Sequence, residues 1–194
     1  MSEPVHIRLP ADVSTLRTLS TGTAVLLSGT VYTARDATHA RLTADLAAGT
    51  APIELRDQVL FYAGPTPAAA GRPAGAVGPT TAGRMDAWTP GLLAAGVAAT
   101  IGKGARSAAV HAACIEHSAV YLATVGGIAA LLATRVRSAE TVAYADLGAE
   151  ALVRMELDAF PVWVAIDAHG NDLYATARAE WAAPTGPAAE GGRV

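Results

Sequence analysis

The sequence holds one cysteine, Cys114, in 194 residues. No intrachain disulfide can form, and one thiolate cannot hold a metal cluster. An iron–sulfur or zinc centre built on cysteines would need another chain's ligands. Aromatic residues make up only 5% of the chain, too few for a base-stacking surface. The net charge is −3, which leaves no basic footprint for nucleic acid. Long apolar runs are also scarce. The one stretch of low polarity, residues 118–134, is at the short limit for a membrane span and is interrupted by Gly126-Gly127. It reads as a buried strand, a tight turn and a short helix. No basic-then-apolar leader pattern opens the sequence. A cytoplasmic chain with neither a membrane nor a nucleic-acid partner is the expectation. No internal repeat is visible.

What is present is apolar. Hydrophobic residues are 52% of the chain, enough for one domain with a sizeable core. Alternation predicts a half-buried strand over 5–9, and β-rich segments predict strands over 24–33 (broken at Ser28-Gly29) and 58–63. Further strands are expected at 97–101, 120–125, 136–143 and 152–157. Phe160-Pro161 is read as a break before a strand over 162–167, which turns at 168–171 into a hairpin. Helices are expected over 34–48, closed by Gly49, and over 84–98 and 106–117. Many short strands mixed with short helices imply an α/β or α+β domain with a mixed sheet. Residues 64–77 form a Pro/Gly/Ala-rich loop, long enough to be functional or mobile. The domain is taken as residues 1–181, with a disordered tail from 182 to 194.

The stretch richest in chemistry is Gly78-Pro79-Thr80-Thr81-Ala82-Gly83-Arg84-Met85-Asp86. A turn delivers two hydroxyls and an arginine to the expected helix start, where free N–H groups attract an anion. Together they could hold a carboxylate in two directions. A Thr-capped helix with a surface Arg accounts for the same residues. Arg35 sits at a strand-to-helix junction, where ligand-contacting residues of α/β folds collect. An exposed helix-start Arg beside a local Asp36–His39 contact is the other reading. Lys103 lies between Gly102 and Gly104 at a strand end. There its ammonium can approach a ligand as a point charge, or simply be exposed on a turn. The run is no P-loop, since Ala98 and Gly104 stand at required Gly and Ser/Thr positions. His111, Cys114 and His117 recur at every third residue, but a helix with a buried Cys fits them better than a metal site. Convergence of Arg35, Thr80, Thr81, Arg84 and Lys103 would suit a small dicarboxylate.

With Leu27-Ser28-Gly29-Thr30-Val31-Tyr32-Thr33-Ala34-Arg35-Asp36-Ala37-Thr38-His39, Tyr62-Ala63-Gly64-Pro65 and Ile101-Gly102-Lys103-Gly104 added, the chain resembles a known family. That family is the β subunit, or C-terminal domain, of the class I iron–sulfur hydro-lyases, which includes the oxygen-sensitive fumarases and L-tartrate dehydratase. Asp146-Leu147-Gly148-Ala149-Glu150-Ala151 and the segment through Gly170-Asn171-Asp172-Leu173-Tyr174 extend the likeness over nearly the whole chain to Tyr174. The resemblance implies a swivelling β/β/α domain with a mixed sheet flanked by helices. It implies an α subunit whose three cysteines hold a [4Fe–4S] cluster, and thus an α/β hetero-oligomer. By motif, Arg35, Arg84 and Lys103 would bind the substrate carboxylates, Thr81 would add a hydrogen bond, and Thr80 would move the proton. The reaction implied is reversible hydration of a four-carbon dicarboxylate, fumarate to L-malate first, with tartrate or mesaconate as alternatives. A non-catalytic binding or assembly module of the same fold is a further alternative.

Overall fold

The computed structural model describes residues 3–182. Its elements in order are β1 (Val5–Leu9), α1 (Val13–Leu16), β2 (Ala24–Thr33), α2 (Asp36–Ala48) and β3 (Val59–Phe61). A 3-10 turn (Ala82–Met85), α3 (Thr89–Ala94), β4 (Ala99–Gly102), α4 (Ala108–Glu116), β5 (Val120–Ala123) and α5 (Ala129–Ala133) follow. The chain continues through β6 (Val136–Ala143), a second 3-10 segment (Ala145–Glu150), β7 (Leu152–Ile166) and α6 (Leu173–Ala182).

β1 to β5 run parallel and lie side by side in chain order. Parallel neighbours need crossovers, and α1 to α4 lie within these connections. β7 runs antiparallel to both β5 and β2, so β2, β3, β4, β5 and β7 close into a barrel. β1 extends the sheet beyond β2, and β6 beyond β7. Closure hides strand edges that would otherwise need cover. Two apolar clusters sit on opposite faces of the strands. Val59 and Phe61 join Val25, Leu27, Val31, Ile101, Leu122 and Phe160 on one face. Leu60 and Tyr62 join Leu42, Met85, Leu92, Val110 and Tyr121 under α2, α3 and α4 on the other. A strand with both faces covered reads as an unbroken apolar run, which is why Val59-Leu60-Phe61 shows no alternation.

Four expectations are corrected. Ser28-Gly29 does not break β2, whose ten residues are continuous. Phe160-Pro161 does not end a strand, because β7 runs unbroken for 15 residues. Leu27 pairs with Phe160 but Gly29 with Leu157, so β7 carries one extra residue there, and Ala159 has φ 49°. The apparent break is a bulge, which bends the long strand so that it can serve both β2 and β5. The expected hairpin reduces to one bridge, Ile166 to Asp172, before α6 begins. The helix expected over 84–98 is a four-residue 3-10 turn and then the six-residue α3, with Pro90 in its first turn. Ala182 is the last residue of α6, and residues 183–194 of the tail expected from 182 lie outside the described residues. No helix among the described residues is long and apolar enough to cross a membrane.

Candidate active site

β2, β3 and β4 lie side by side and parallel, so their C-terminal ends share one edge of the sheet. In open α/β sheets this is the edge at which ligands gather. β2 delivers Arg35, the residue that precedes α2. β4 delivers Lys103, which is exposed. Thr80 and Thr81 arrive from the loop between β3 and the 3-10 turn. The Thr80 N–H donates to the Tyr62 carbonyl at 2.6 Å, and the Thr80 carbonyl accepts from the Lys103 N–H at 3.3 Å. Thr81 pairs with Lys103 as a parallel bridge, and the Ala82 N–H donates to the Lys103 carbonyl at 2.9 Å. The threonine pair is therefore stitched between the chain ends that leave β3 and β4. Gly102 makes this possible, since a Cβ there would lie 2.9 Å from the Ala82 Cβ.

Two of the three cations are already paired. The Arg35 guanidinium lies 3.4 Å from Glu150 through Nη2, and its Nε is buried without a partner among the described residues. Arg84 donates from Nε to Asp36 Oδ1 at 2.9 Å. Its side chain is 52% exposed, and neither outer nitrogen of the fork makes a hydrogen bond among the described residues. Asp36, at the first position of α2, thus ties the Gly78–Asp86 motif to the Arg35 junction. Lys103 has no carboxylate partner among the described residues. Cavities of about 320, 210 and 200 Å³ are lined by other residues. Thr81, Arg84 and Lys103 are exposed, while Arg35 and Thr80 are half-buried.

Two local expectations change here. Thr81 flanks the 3-10 turn without a side-chain capping bond. A four-residue 3-10 turn has no useful macrodipole, so the anion-attracting helix start is absent and positive charge must come from the side chains. His39 does not meet Asp36 as a surface pair. Its ring is buried, with Nδ1 2.8 Å from the Arg35 carbonyl oxygen. The carbonyl can only accept, so Nδ1 carries the proton. Nε2 is buried without a partner among the described residues. Burial is the main cause that drives the His39 pKa down to about 4, against the upward pull of the Arg35 carbonyl.

Several supporting residues escaped the sequence reading. Arg106 has a fully buried side chain paired to Asp86 at 2.7 Å. It also donates to Thr89 at 2.8 Å and Thr100 at 3.2 Å, and stacks over the rings of Tyr62 and Tyr121. Asp86 takes a further N–H from Ser107 at 2.6 Å. Arg106 is thus a post beneath the Thr80–Asp86 segment. The turn after Lys103 is held by two phenols. Tyr121 donates to the Gly104 carbonyl at 2.8 Å, and Tyr174 accepts the Gly104 N–H at 3.1 Å. No local pattern marks these partners, because all the hydrogen-bonded pairs but Arg106–Thr100 lie 17 or more positions apart in the chain.

Cys114 is buried, and burial pushes its thiol up to about 11. No group of three His, Cys, Asp or Glu residues among the described residues is placed to hold a metal ion.

Residues 2–177 match the family model described as the fumarase C-terminus. The chain is 41% identical over 155 residues to the anaerobic class I fumarate hydratase of Escherichia coli K12, covering 78% of this chain and 28% of that protein. It is 36% identical over 178 residues to fumarate hydratase 2 of Leishmania major, covering 89% of this chain and 31% of that protein. It is 34% identical over 166 residues to a Methanocaldococcus jannaschii protein named "Putative L(+)-tartrate dehydratase subunit beta", covering 82% of this chain and 85% of that one. The chain therefore spans under a third of the fumarate hydratases it matches, but most of the length of the third relative. From the match across residues 2–177, the chain belongs to the fumarase C-terminus family.

Proposed function

We propose that this chain is the β subunit of a hydro-lyase that reversibly hydrates a four-carbon dicarboxylate, and that it shares its active site with an α subunit. The observation that carries the reading is the set of three cations and two hydroxyls at the adjoining ends of β2, β3 and β4. Fumarate to L-malate is the favoured reaction, on the 41% identity to a class I fumarate hydratase. Tartrate is the second reading, supported by the like-sized relative named as a tartrate dehydratase β subunit. The name of that relative also supports a subunit role.

In this reading Arg35, Arg84 and Lys103 bind the two carboxylates of the substrate. Arg84 offers a fork that Asp36 holds from behind, and forks suit carboxylates bidentately. Lys103 adds a point charge on a mobile stem. Thr81 donates a hydrogen bond to a substrate oxygen. Thr80 moves the proton at the carbon next to a carboxylate. A threonine hydroxyl is a weak base unless its alkoxide is stabilised, and the neighbouring cations supply that field.

The residues of this chain do not fit a [4Fe–4S] cluster. They include one cysteine, buried and with its thiol pKa raised, and no group of metal-ligating side chains among the described residues. The cluster, a Lewis acid for hydroxide departure, is assigned to the α subunit. The exposed side chains of Thr81, Arg84 and Lys103 suit contact with such a partner.

The test is co-expression with a cluster-bearing α subunit and an ultraviolet assay with malate, tartrate and citramalate. Thr80→Ala is expected to cut turnover at least about a hundredfold, in line with loss of general acid–base help. Lys103→Ala is expected to lower kcat/KM by a similar order. Both variants should co-purify with the partner. Normal rates in both would remove the proposal.

A further inference from the structure

β6 and β7 are antiparallel neighbours, with Ala143 paired to Leu152. Two residues suffice to join such strands. Here the connection runs from 144 to 151 and reaches away to α2. Its 3-10 segment buries no residue. Tyr144 packs partly against the apolar cluster under α2, and the other ties are polar. The Tyr144 hydroxyl donates to Asp45 at 2.7 Å. Arg41 pairs bidentately with Asp146 at 2.7 and 2.9 Å, and its guanidinium lies 5.2 Å from the Tyr144 ring centre. Glu150 Oε2 accepts the Ala37 N–H at 2.9 Å, and the Glu150 carbonyl accepts the Thr38 hydroxyl. The helix positions used are 45, 41 and 37–38. They recur every four residues, so the connection is strapped along one face of α2 with one tie per turn.

The last tie ends on the candidate site. The other oxygen of Glu150 lies 3.4 Å from Arg35. Gly64 admits this arrangement, because a Cβ there would sit 2.8 Å from the Ala149 carbonyl oxygen and 3.1 Å from Arg35 Nη1. Arg35 is thus confined between the strap and the end of β3. The Ala37 N–H belongs to the first helical turn and has no partner within the helix, so Glu150 supplies its acceptor.

We propose that Glu150 is a positioning residue for Arg35, and that the strap 144–150 sets Glu150 in place by its ties to Arg41 and Asp45. The value of holding Arg35 rests on the dicarboxylate reading above. A guanidinium ordered in advance spares the substrate the cost of ordering it. The Arg41–Asp146 tie is exposed, the Tyr144, Ala37 and Thr38 ties are part-buried, and the 3-10 segment buries no residue, so the strap is held less firmly than the core and can leave α2 without global unfolding.

The test uses the full chain with Arg41→Ala and Tyr144→Phe together, which removes two ties and leaves Arg35 and Glu150 intact. Amide exchange at Ala37 should rise about tenfold, while the amides of Leu42 and Leu46 keep their rates. Modification of Arg35 by phenylglyoxal, read by peptide mass, should quicken severalfold, while Arg84 does not change. The exchanged pair Arg41→Asp with Asp146→Arg should return both readouts toward wild type. In the complex with the α subunit, the double variant should raise KM about 3- to 10-fold with kcat within about twofold. Unchanged Ala37 exchange, unchanged Arg35 reactivity or unchanged KM would each overturn the proposal. A complex with no hydro-lyase turnover would instead fail the functional reading, and the two chain-level readouts would still decide the strap.

Discussion

Acid should destabilise this protein through one ring well before its carboxylates titrate. His39 is fully buried, its Nδ1 proton is spent on the Arg35 carbonyl, and Nε2 faces no acceptor among the described residues. A second proton would place a charge between the rings of Tyr62 and Trp88, at 5.0 and 6.2 Å. Burial, aided by Arg106, lowers the folded pKa from 6.5 to about 4, against the pull of the Arg35 carbonyl and Asp36. The unfolded chain keeps the ordinary value, so between these two pH values it binds more protons than the folded one. Stability is then fully present above the ordinary histidine pKa and is lost as pH falls toward 4. The complete loss is about 3 kcal/mol, and about 2 kcal/mol of it appears between pH 7 and pH 5. Urea unfolding followed by circular dichroism reads this directly. With a slope of about 2 kcal/mol per molar, the midpoint should drop by about 1 M between those pH values. His39→Gln keeps a donor for the Arg35 carbonyl and removes the titration. Its midpoint should start lower and then move less than half as far. Equal pH shifts in both proteins would refute the reasoning, as would a wild-type midpoint that does not move.

Arg106→Ala strands Asp86 and opens a hole under the Thr80–Asp86 segment, and breaking a buried ion pair in this way costs about 3–5 kcal/mol. Chemical denaturation should show that loss, and Arg106→Lys should recover only part of it, because one ammonium cannot replace the fork. Asp167 is fully buried and accepts from the backbone N–H groups of Thr21, His169 and Asn171 and from the Asn171 side chain. Burial pushes its pKa up, but these donors outweigh it and hold the carboxyl below its ordinary value. Its contribution is therefore present above the ordinary Asp pKa and lost as pH falls through the lowered one, so Asp167→Ala should flatten the acid limb of the stability profile below about pH 4. Gly64→Ala forces a Cβ against the Ala149 carbonyl and Arg35, and should cost about 1–3 kcal/mol of stability by denaturant titration.

Local chemistry was readable along the chain. Turn residues and apolar runs placed most elements close to where they lie, including the helix that starts after Arg35 and the Gly126-Gly127 turn before α5. The readings failed where partners from far away overrode local signals. Pro161 looked like a stop, yet β7 has three neighbours and absorbs it beside a bulge. Leu173 and Tyr174 looked like a return strand, yet only Asp172 pairs and the chain goes on as helix. Asp36 and His39 looked like each other's partners at helical spacing. Burial of the ring and the reach of Arg84 from 48 positions away assigned them otherwise.

The candidate residues divide in the same way. The amino-acid order by itself determined which side chains are candidates for the chemistry, because hydroxyls, guanidinium groups and an ammonium bracketed by glycine and proline announce their own types and local turns. It also determined that a metal cluster cannot be ligated by cysteines of this chain alone, since only one thiol exists. Tertiary structure alone decided which edge collects them and who holds them still. Parallel pairing of β2, β3 and β4 brings residues 35, 80 and 103 to one rim, and Glu150 reaches Arg35 across more than a hundred residues. Such pairings arise from sheet closure and buried charge compensation, which depend on distances in space and leave no periodic trace along the chain.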